Sequence, residues 1–109
     1  MIAEAAVRGT QFRPIEAKAF VNTCEDGVVL TLQREPENPY DSNAIKVLSP
    51  DPEAIHIGYI AKEIAAEIAP LMDSGQRLVA VVSGRMSASM LTVEINPDDN
   101  APASDETTG

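Results

Sequence analysis

The sequence predicts a mainly β protein: a small barrel of five or six short strands with one to two short helices. Three observations carry that reading. Apolar residues alternate with polar ones at a period of two, as in Val28, Leu30 and Leu32, which is the spacing of a half-buried strand. Turn residues separate these runs at short intervals, as at Asp26-Gly27 and Pro50-Asp51-Pro52. Only residues 61–73 switch clearly to a helical period. An antiparallel sheet this small removes its exposed edges by closing on itself.

Taken in order, residues 5–12 read as a first strand interrupted by Gly9 and ended by Pro14. Residues 15–23 fit either a short helix or a loop followed by a strand. After the Asp26-Gly27 turn, Val28, Leu30 and Leu32 face the core, with Val29, Thr31 and Gln33 on the other side. Residues 44–48 form the next strand, and 49–53 a Pro-containing turn. A strand follows at 56–60, where Gly58 marks a bend or a close backbone approach. In the helix at 61–73, Ile64, Ile68, Leu71 and Met72 fall at i, i+4, i+7 and i+8, one apolar stripe. Pro70 removes one backbone bond there, which predicts a kink or an irregular last turn. Asp73-Ser74-Gly75 is the stop. Two further strands, 77–83 and 90–95, are joined by the polar span 84–89.

A chain of 109 residues with 44% hydrophobic content suits one domain with a single modest core. That domain is placed at 1–96. Residues 97–109, rich in Pro, Asp, Ser and Thr, lack core-forming side chains and read as a disordered acidic tail. No apolar run approaches membrane-spanning length, and the first ten residues lack the basic and apolar regions of a signal peptide. A membrane partner is therefore not expected, and a reducing cytoplasm is the expected setting. Cys24 alone forms no intramolecular disulfide, and with His56 the sole histidine a structural zinc site is not supported. Cys24 reads as a small buried apolar group and His56 as an ordinary strand residue. Seventeen acids and eight bases give a net charge of −9. Four of those acids (Asp98, Asp99, Asp105, Glu106) lie in the tail, leaving 13 against 8 bases, a balance of −5 for residues 1–96. Such a body disfavours general attraction to phosphate, so a nucleic-acid site here must be a local pocket.

The stretch 32–47 carries most of the functional signal. Arg34, Pro36, Asn38, Pro39, Tyr40, Asp41 and Asn43 gather between two strands, in a connection longer than the usual 2–5 residues of a hairpin. The prolines stiffen it, and Asn38, Asp41 and Asn43 can hold turns by bonding nearby backbone. Tyr59, after Gly58, precedes Lys62 at the start of the helix. A lysine at a helix N-terminus suits an anion, and an aromatic ring suits base stacking. Each signal also has a plainer reading: a self-satisfied rigid loop, a ring capping the barrel, a lysine paired with Glu63 or Glu67. Catalysis finds little footing. No phosphate-binding P-loop motif is present, no motif surrounds His56, and Glu35, Glu37 and Asp41 read as a solvated face. No enzyme activity and no cofactor are expected.

The run Arg34-Glu35-Pro36-Glu37-Asn38-Pro39-Tyr40-Asp41-Ser42-Asn43-Ala44-Ile45, followed by Ile57-Gly58-Tyr59-Ile60 and Leu71-Met72-Asp73-Ser74-Gly75, resembles the HIRAN domain. The resemblance spans residues 7–95, and its loop pattern is highly specific. HIRAN domains occur at the front of helicase-like chromatin remodellers that act on stalled replication forks, and as stand-alone bacterial and phage proteins, which this chain resembles more. The resemblance implies an OB-like six-stranded β-barrel that binds single-stranded DNA, with a pocket for the free 3′-hydroxyl end. Carried over by position, Asp41 would accept a hydrogen bond from that hydroxyl, and Tyr40 would wall the pocket. Asn38 would contact the end nucleotide or brace the loop, and Lys62 would sit on a phosphate. Tyr59 stands where eukaryotic members can carry a histidine. Phe12 would stack on a base, and Arg13 would partly offset the absence of an arginine at position 11. Met90 falls near an aromatic contact of those domains. Arg34 reads as structural, tying the loop through Glu35 or Asp41. The competing reading, from the acidity, is a protein-interaction module with a degenerate DNA pocket, docking on a helicase or nuclease.

Overall fold

Period-two apolar runs close into a barrel. The computed structural model describes residues 1–98. In order these are β1 (Ala3–Arg8), a 3-10 turn (Thr10–Phe12), α1 (Ile15–Thr23), β2 (Val29–Arg34), β3 (Ile45–Leu48), β4 (His56–Ile60), α2 (Lys62–Asp73), β5 (Leu78–Ser87) and β6 (Met90–Pro97). The strands pair antiparallel in the closed order β1-β4-β3-β2-β5-β6, with β6 returning to β1. The expected fold class is the observed one.

Alternation fixes what goes inside. Leu30 and Leu32 of β2 are buried, whereas Val29 is half exposed. Val7, Ile45, Val47, Ile57, Leu91, Val93 and Ile95 fill the same interior. Each such side chain contributes roughly 1.5–3 kcal/mol over its exposed state. Among the described residues the two buried polar side chains are satisfied: the Thr10 hydroxyl donates to the Ile57 carbonyl (2.7 Å), and Ser49 Oγ accepts from the Ile55 N–H (2.8 Å).

Both helices close on this interior. Residues 15–23 resolve as helix, with Ala17 and Val21, four apart, fully buried. In α2 the deepest positions are Ala65, Ile68 and Ala69, while Ile64, Leu71 and Met72 pack around the core margin. The apolar stripe is thus real but turned toward two alanines, whose small side chains let the helix sit close to the barrel. Pro70 lies inside the helix. The C-terminus is a Schellman turn: the Gln76 N–H donates to the Leu71 carbonyl, and the Gly75 N–H to that of Met72, with Gly75 at φ 103°.

Two boundaries differ from expectation. The first strand stops at Arg8, because Gly9 takes a left-handed conformation (φ 85°) and turns the chain into the 3-10 segment. The span 84–89 is mostly strand, since β5 runs to Ser87 and the turn is reduced to Ala88-Ser89, with register shifts in the β5–β6 ladder. Of the expected tail, Pro97 ends β6 and the Asp98 N–H donates to the Arg77 carbonyl. Residues 99–109 lie outside the described residues. Among the described residues, no helix is long and apolar enough to cross a membrane.

Candidate functional site

Residues 35–44 connect β2 and β3 and build one wall of the site. Their base is closed by the Glu35 N–H donating to the Ala44 carbonyl (2.9 Å). Within the loop, Asn38 Oδ1 accepts from the Tyr40 and Asp41 N–H groups (2.8 and 3.1 Å), and Asp41 Oδ1 accepts from the Asn43 N–H (2.9 Å). These are the local side-chain turns that Asn and Asp favour.

Arg34 pins the loop from beneath, by a route the sequence did not suggest. It donates to the carbonyls of Ala44 (2.8 Å) and Ser42 (3.0 Å), and two-pronged to the Asp73 carboxylate at the end of α2 (2.9 and 3.1 Å). Its partners are neither Glu35 nor Asp41. The guanidinium hydrogen bond holds the Asp73 carboxyl below its ordinary value of 3.8.

Glu35 is an anchor instead of a solvated carboxylate. Its Oε1 accepts from Asn38 Nδ2 (2.9 Å) and from the Tyr59 hydroxyl (2.8 Å), while Oε2 pairs with Lys46 Nζ (3.3 Å). The Asn38 bond, then those from Tyr59 and Lys46, lower its pKa from 4.5 to about 2. Burial, and then Glu35, push the Tyr59 hydroxyl up. His56 stands edge-on to Tyr59, with ring centroids 4.8 Å apart. Its imidazole is held below 6.5, first by burial and then by Arg13 and Lys46.

Between this wall, β4 and the start of α2 lies an open cleft of about 450 Å³, lined by Arg8, Asn38, Tyr40, Asp41, Tyr59 and Lys62 among others. Five of the seven residues singled out from the sequence, Asn38, Tyr40, Asp41, Tyr59 and Lys62, therefore converge. Tyr40 is 92% exposed, a ring held out by a braced loop. Phe12 and Arg13 do not line the cleft. Phe12 projects from the 3-10 turn, 82% exposed, and Arg13 Nε donates to the His56 carbonyl (3.0 Å). Met90 opens β6 opposite Ser87, also outside it. Lys62 forms no ion pair with Glu63 or Glu67. Cys24 is half-buried at the core margin, and burial raises its thiol pKa. Sequence reading missed Arg8 and Glu35. Arg8 becomes visible only through the pairing of β1 with β4, where it lies opposite Tyr59. Among the described residues, no cluster of three or more His, Cys, Asp or Glu is arranged to hold a metal.

Fold and site define an OB-like barrel that presents a binding cleft. The HIRAN domain profile matches residues 3–97. The chain belongs to the HIRAN domain family. It is 42% identical over 55 residues to the helicase-like transcription factor of the rabbit, Oryctolagus cuniculus, covering half of this chain and 5% of that protein. The chain thus spans a small fraction of the length of the curated relatives it matches. A crystal structure of a Lactobacillus plantarum protein superposes with a TM-score of 0.76 at 32% identity, covering 84% of this chain and 87% of that one. The crystal structure of the HIRAN domain of human HLTF gives 0.67 at 26% identity, covering 90% and 78%. The HLTF HIRAN domain in its DNA-bound conformation gives 0.57 at 26%, covering 90% and 76%.

Proposed function

We propose that the cleft binds single-stranded DNA at its free 3′-hydroxyl end. The carrying observation is the convergence of a carboxylate, two aromatic rings and an ammonium group on one cleft (Asp41, Tyr40, Tyr59, Lys62) in a chain of this family. Asp41 accepts the hydrogen bond of the terminal hydroxyl; one of its oxygens is already held by the Asn43 N–H, which fixes the carboxylate's direction. Tyr40 and Tyr59 flank the terminal nucleoside. Lys62, in the first turn of α2, takes a backbone phosphate. Asn38 braces the loop, since its side chain is spent on Tyr40, Asp41 and Glu35. Phe12, exposed away from the cleft, offers a stacking face for a base further from the end. Arg13 steadies β4 through the His56 carbonyl.

Charge limits how much strand the protein holds. Across Asn38, Tyr40 and Tyr59 from the cleft lies a second hollow, lined by Glu35 and Glu37. Glu35 is balanced by Lys46, and the Glu37 carboxylate repels phosphate on that side. The protein therefore holds an end and not a length.

The test is a pair of fluorescent oligonucleotides alike except for a 3′-hydroxyl or a 3′-phosphate, titrated at low salt. The hydroxyl form binds tighter, because a 3′-phosphate meets Asp41 as a like charge, and Asp41→Ala removes the difference. Equal binding of the two by the unmodified protein overturns end recognition. Co-purification with a helicase or nuclease, with no response of Asn38, Tyr59 and Lys62 amide signals to oligonucleotide, supports the protein-docking reading instead.

A further inference from the structure

We propose that Arg8 is the second phosphate ligand of the cleft, so that the unit recognised is a 3′-terminal nucleoside together with the phosphate on its 5′ side. This rests on the reading of the cleft as a 3′-end site and extends it to a residue that the sequence pattern did not single out.

The strand register puts Arg8 in place. Val7 pairs with Ile60 and both point inward, 1% and 3% exposed. The next pair, Arg8 and Tyr59, therefore points outward, with Cβ atoms about 5 Å apart as in any directly opposed antiparallel pair. On the far side of Tyr59 the ladder continues to Lys46. A cation, a phenol ring and a second cation thus form one row across β1, β4 and β3. Gly58 tightens it: a Cβ there would lie 2.7 Å from the Arg8 carbonyl oxygen, so only a glycine lets the end of β1 approach β4 this closely.

The two ends of the row are treated differently. Lys46 is neutralised by Glu35 at 3.3 Å. Arg8 makes no side-chain hydrogen bond or ion pair among the described residues, and it lines the cleft with Lys62, which is likewise unpaired. Arg34 is committed to Asp73, Ser42 and Ala44, and Arg85 to carbonyls of Cys24 and Ala88. In a chain with 17 acids against 8 bases, this cleft carries two uncommitted cations, Arg8 and Lys62, against two lining carboxylates, Asp41 and Glu63. Asp41 lies on the loop side of the same cleft. That polarity matches a nucleotide whose sugar end is a hydroxyl donor and whose other end is an anion. Arginine suits the anionic end, since its planar fork holds two phosphate oxygens at once.

The experiment combines protein and ligand changes: the protein and its R8A and R8K variants, titrated with a 3′-hydroxyl oligonucleotide at several salt concentrations. A second oligonucleotide carries a neutral methylphosphonate at the last linkage only. Loss of Arg8 weakens binding about tenfold, as expected for one charge-assisted contact. It also lowers the slope of log affinity against log salt by about 0.7. The preference for 3′-hydroxyl over 3′-phosphate survives in R8A. The methylphosphonate weakens the unmodified protein by a similar factor and R8A much less, because the contact is already gone. R8K recovers part of the loss. Unchanged affinity and salt slope in R8A, with the end preference intact, overturns the role of Arg8 and leaves the cleft reading standing. A methylphosphonate cost equal in the unmodified protein and R8A overturns it too. Absence of any end preference in the unmodified protein removes the cleft reading and this inference with it. If R8A fails to fold, indifference of the unmodified protein to the methylphosphonate is decisive against the proposal.

Discussion

The hydroxyl of Tyr59 donates to Glu35 Oε1 at 2.8 Å, fastening the outer face of a barrel strand to the first residue of the loop that walls the cleft. Because the same oxygen also accepts from Asn38, the loop's internal turns are referenced to the barrel through one carboxylate. Glu35→Ala leaves the Tyr59 hydroxyl and the Asn38 amide without their acceptor. The carboxylate is partly solvated, with its side chain 25% exposed, so the expected loss is about 1.5 kcal/mol, the low end for hydrogen bonds to a charged group. Urea unfolding measures it. In a double-mutant cycle Glu35→Ala and Tyr59→Phe couple by about 0.5–1 kcal/mol; additive losses would mean that the bond contributes nothing.

The same carboxylate gives the protein an acid response. The pKa of Glu35 in the folded state, about 2, lies below its ordinary 4.5, so the folded form favours the ionised group. Its stabilisation is complete above about pH 5 and is lost as pH falls toward 2. Asp73, lowered from 3.8 by Arg34, acts in the same direction at the acid end. His56, lowered from 6.5 by burial, begins to cost stability higher up, as pH falls below 6.5. The urea midpoint should therefore decline in two stages, and Glu35→Gln should flatten the stage between pH 5 and 2 while leaving the upper one. A Glu35 carboxyl resonance that titrates near 4.5 would contradict this account.

Much of the fold was legible because its signals are local. Alternation at Leu30 and Leu32 needs no knowledge of partners, and neither does the helical period of Ile64 and Ile68. The loop residues Asn38, Tyr40 and Asp41 were legible for the same reason: they bond within a few positions of one another. What escaped was long-range. Arg34 meets Asp73 39 positions away. Glu35 looked like one of three solvated acids until β4 brought Tyr59 to it, 24 positions on. Arg8 gains meaning only through the β1–β4 register. Gly9 misled in a different way, since a glycine inside an apolar run reads equally as a strand irregularity or as the turn it forms.

Gly58→Ala is the sharpest test of the close approach between β1 and β4. The added Cβ would fall 2.7 Å from the Arg8 carbonyl oxygen, 2.9 Å from Val7 Cγ1 and 3.2 Å from Thr10 Oγ1. The nearest atom is backbone and cannot rotate away, so β1 must shift. Overpacking of this kind costs about 1–3 kcal/mol, read as a lowered thermal midpoint. The shift also moves Arg8 relative to Tyr59, so affinity for a 3′-end oligonucleotide should fall more than the stability loss accounts for. A variant with unchanged midpoint would mean that the strands can separate freely there.

Arg34→Lys tests whether the loop is held by geometry or by charge alone. Lysine keeps the positive charge but cannot serve the Ala44 and Ser42 carbonyls and both Asp73 oxygens from one planar group. The loop base then opens more often, because two carbonyls lose a charge-assisted donor. Hydrogen exchange at the Glu35 and Ala44 amides, which bond the Ala44 and Asp41 carbonyls, should accelerate about tenfold. Amides of the far β5–β6 ladder should keep their protection. If lysine preserved the loop amides at their original rates, charge alone would hold the loop, and the fork of Arg34 would have no special part in shaping the cleft.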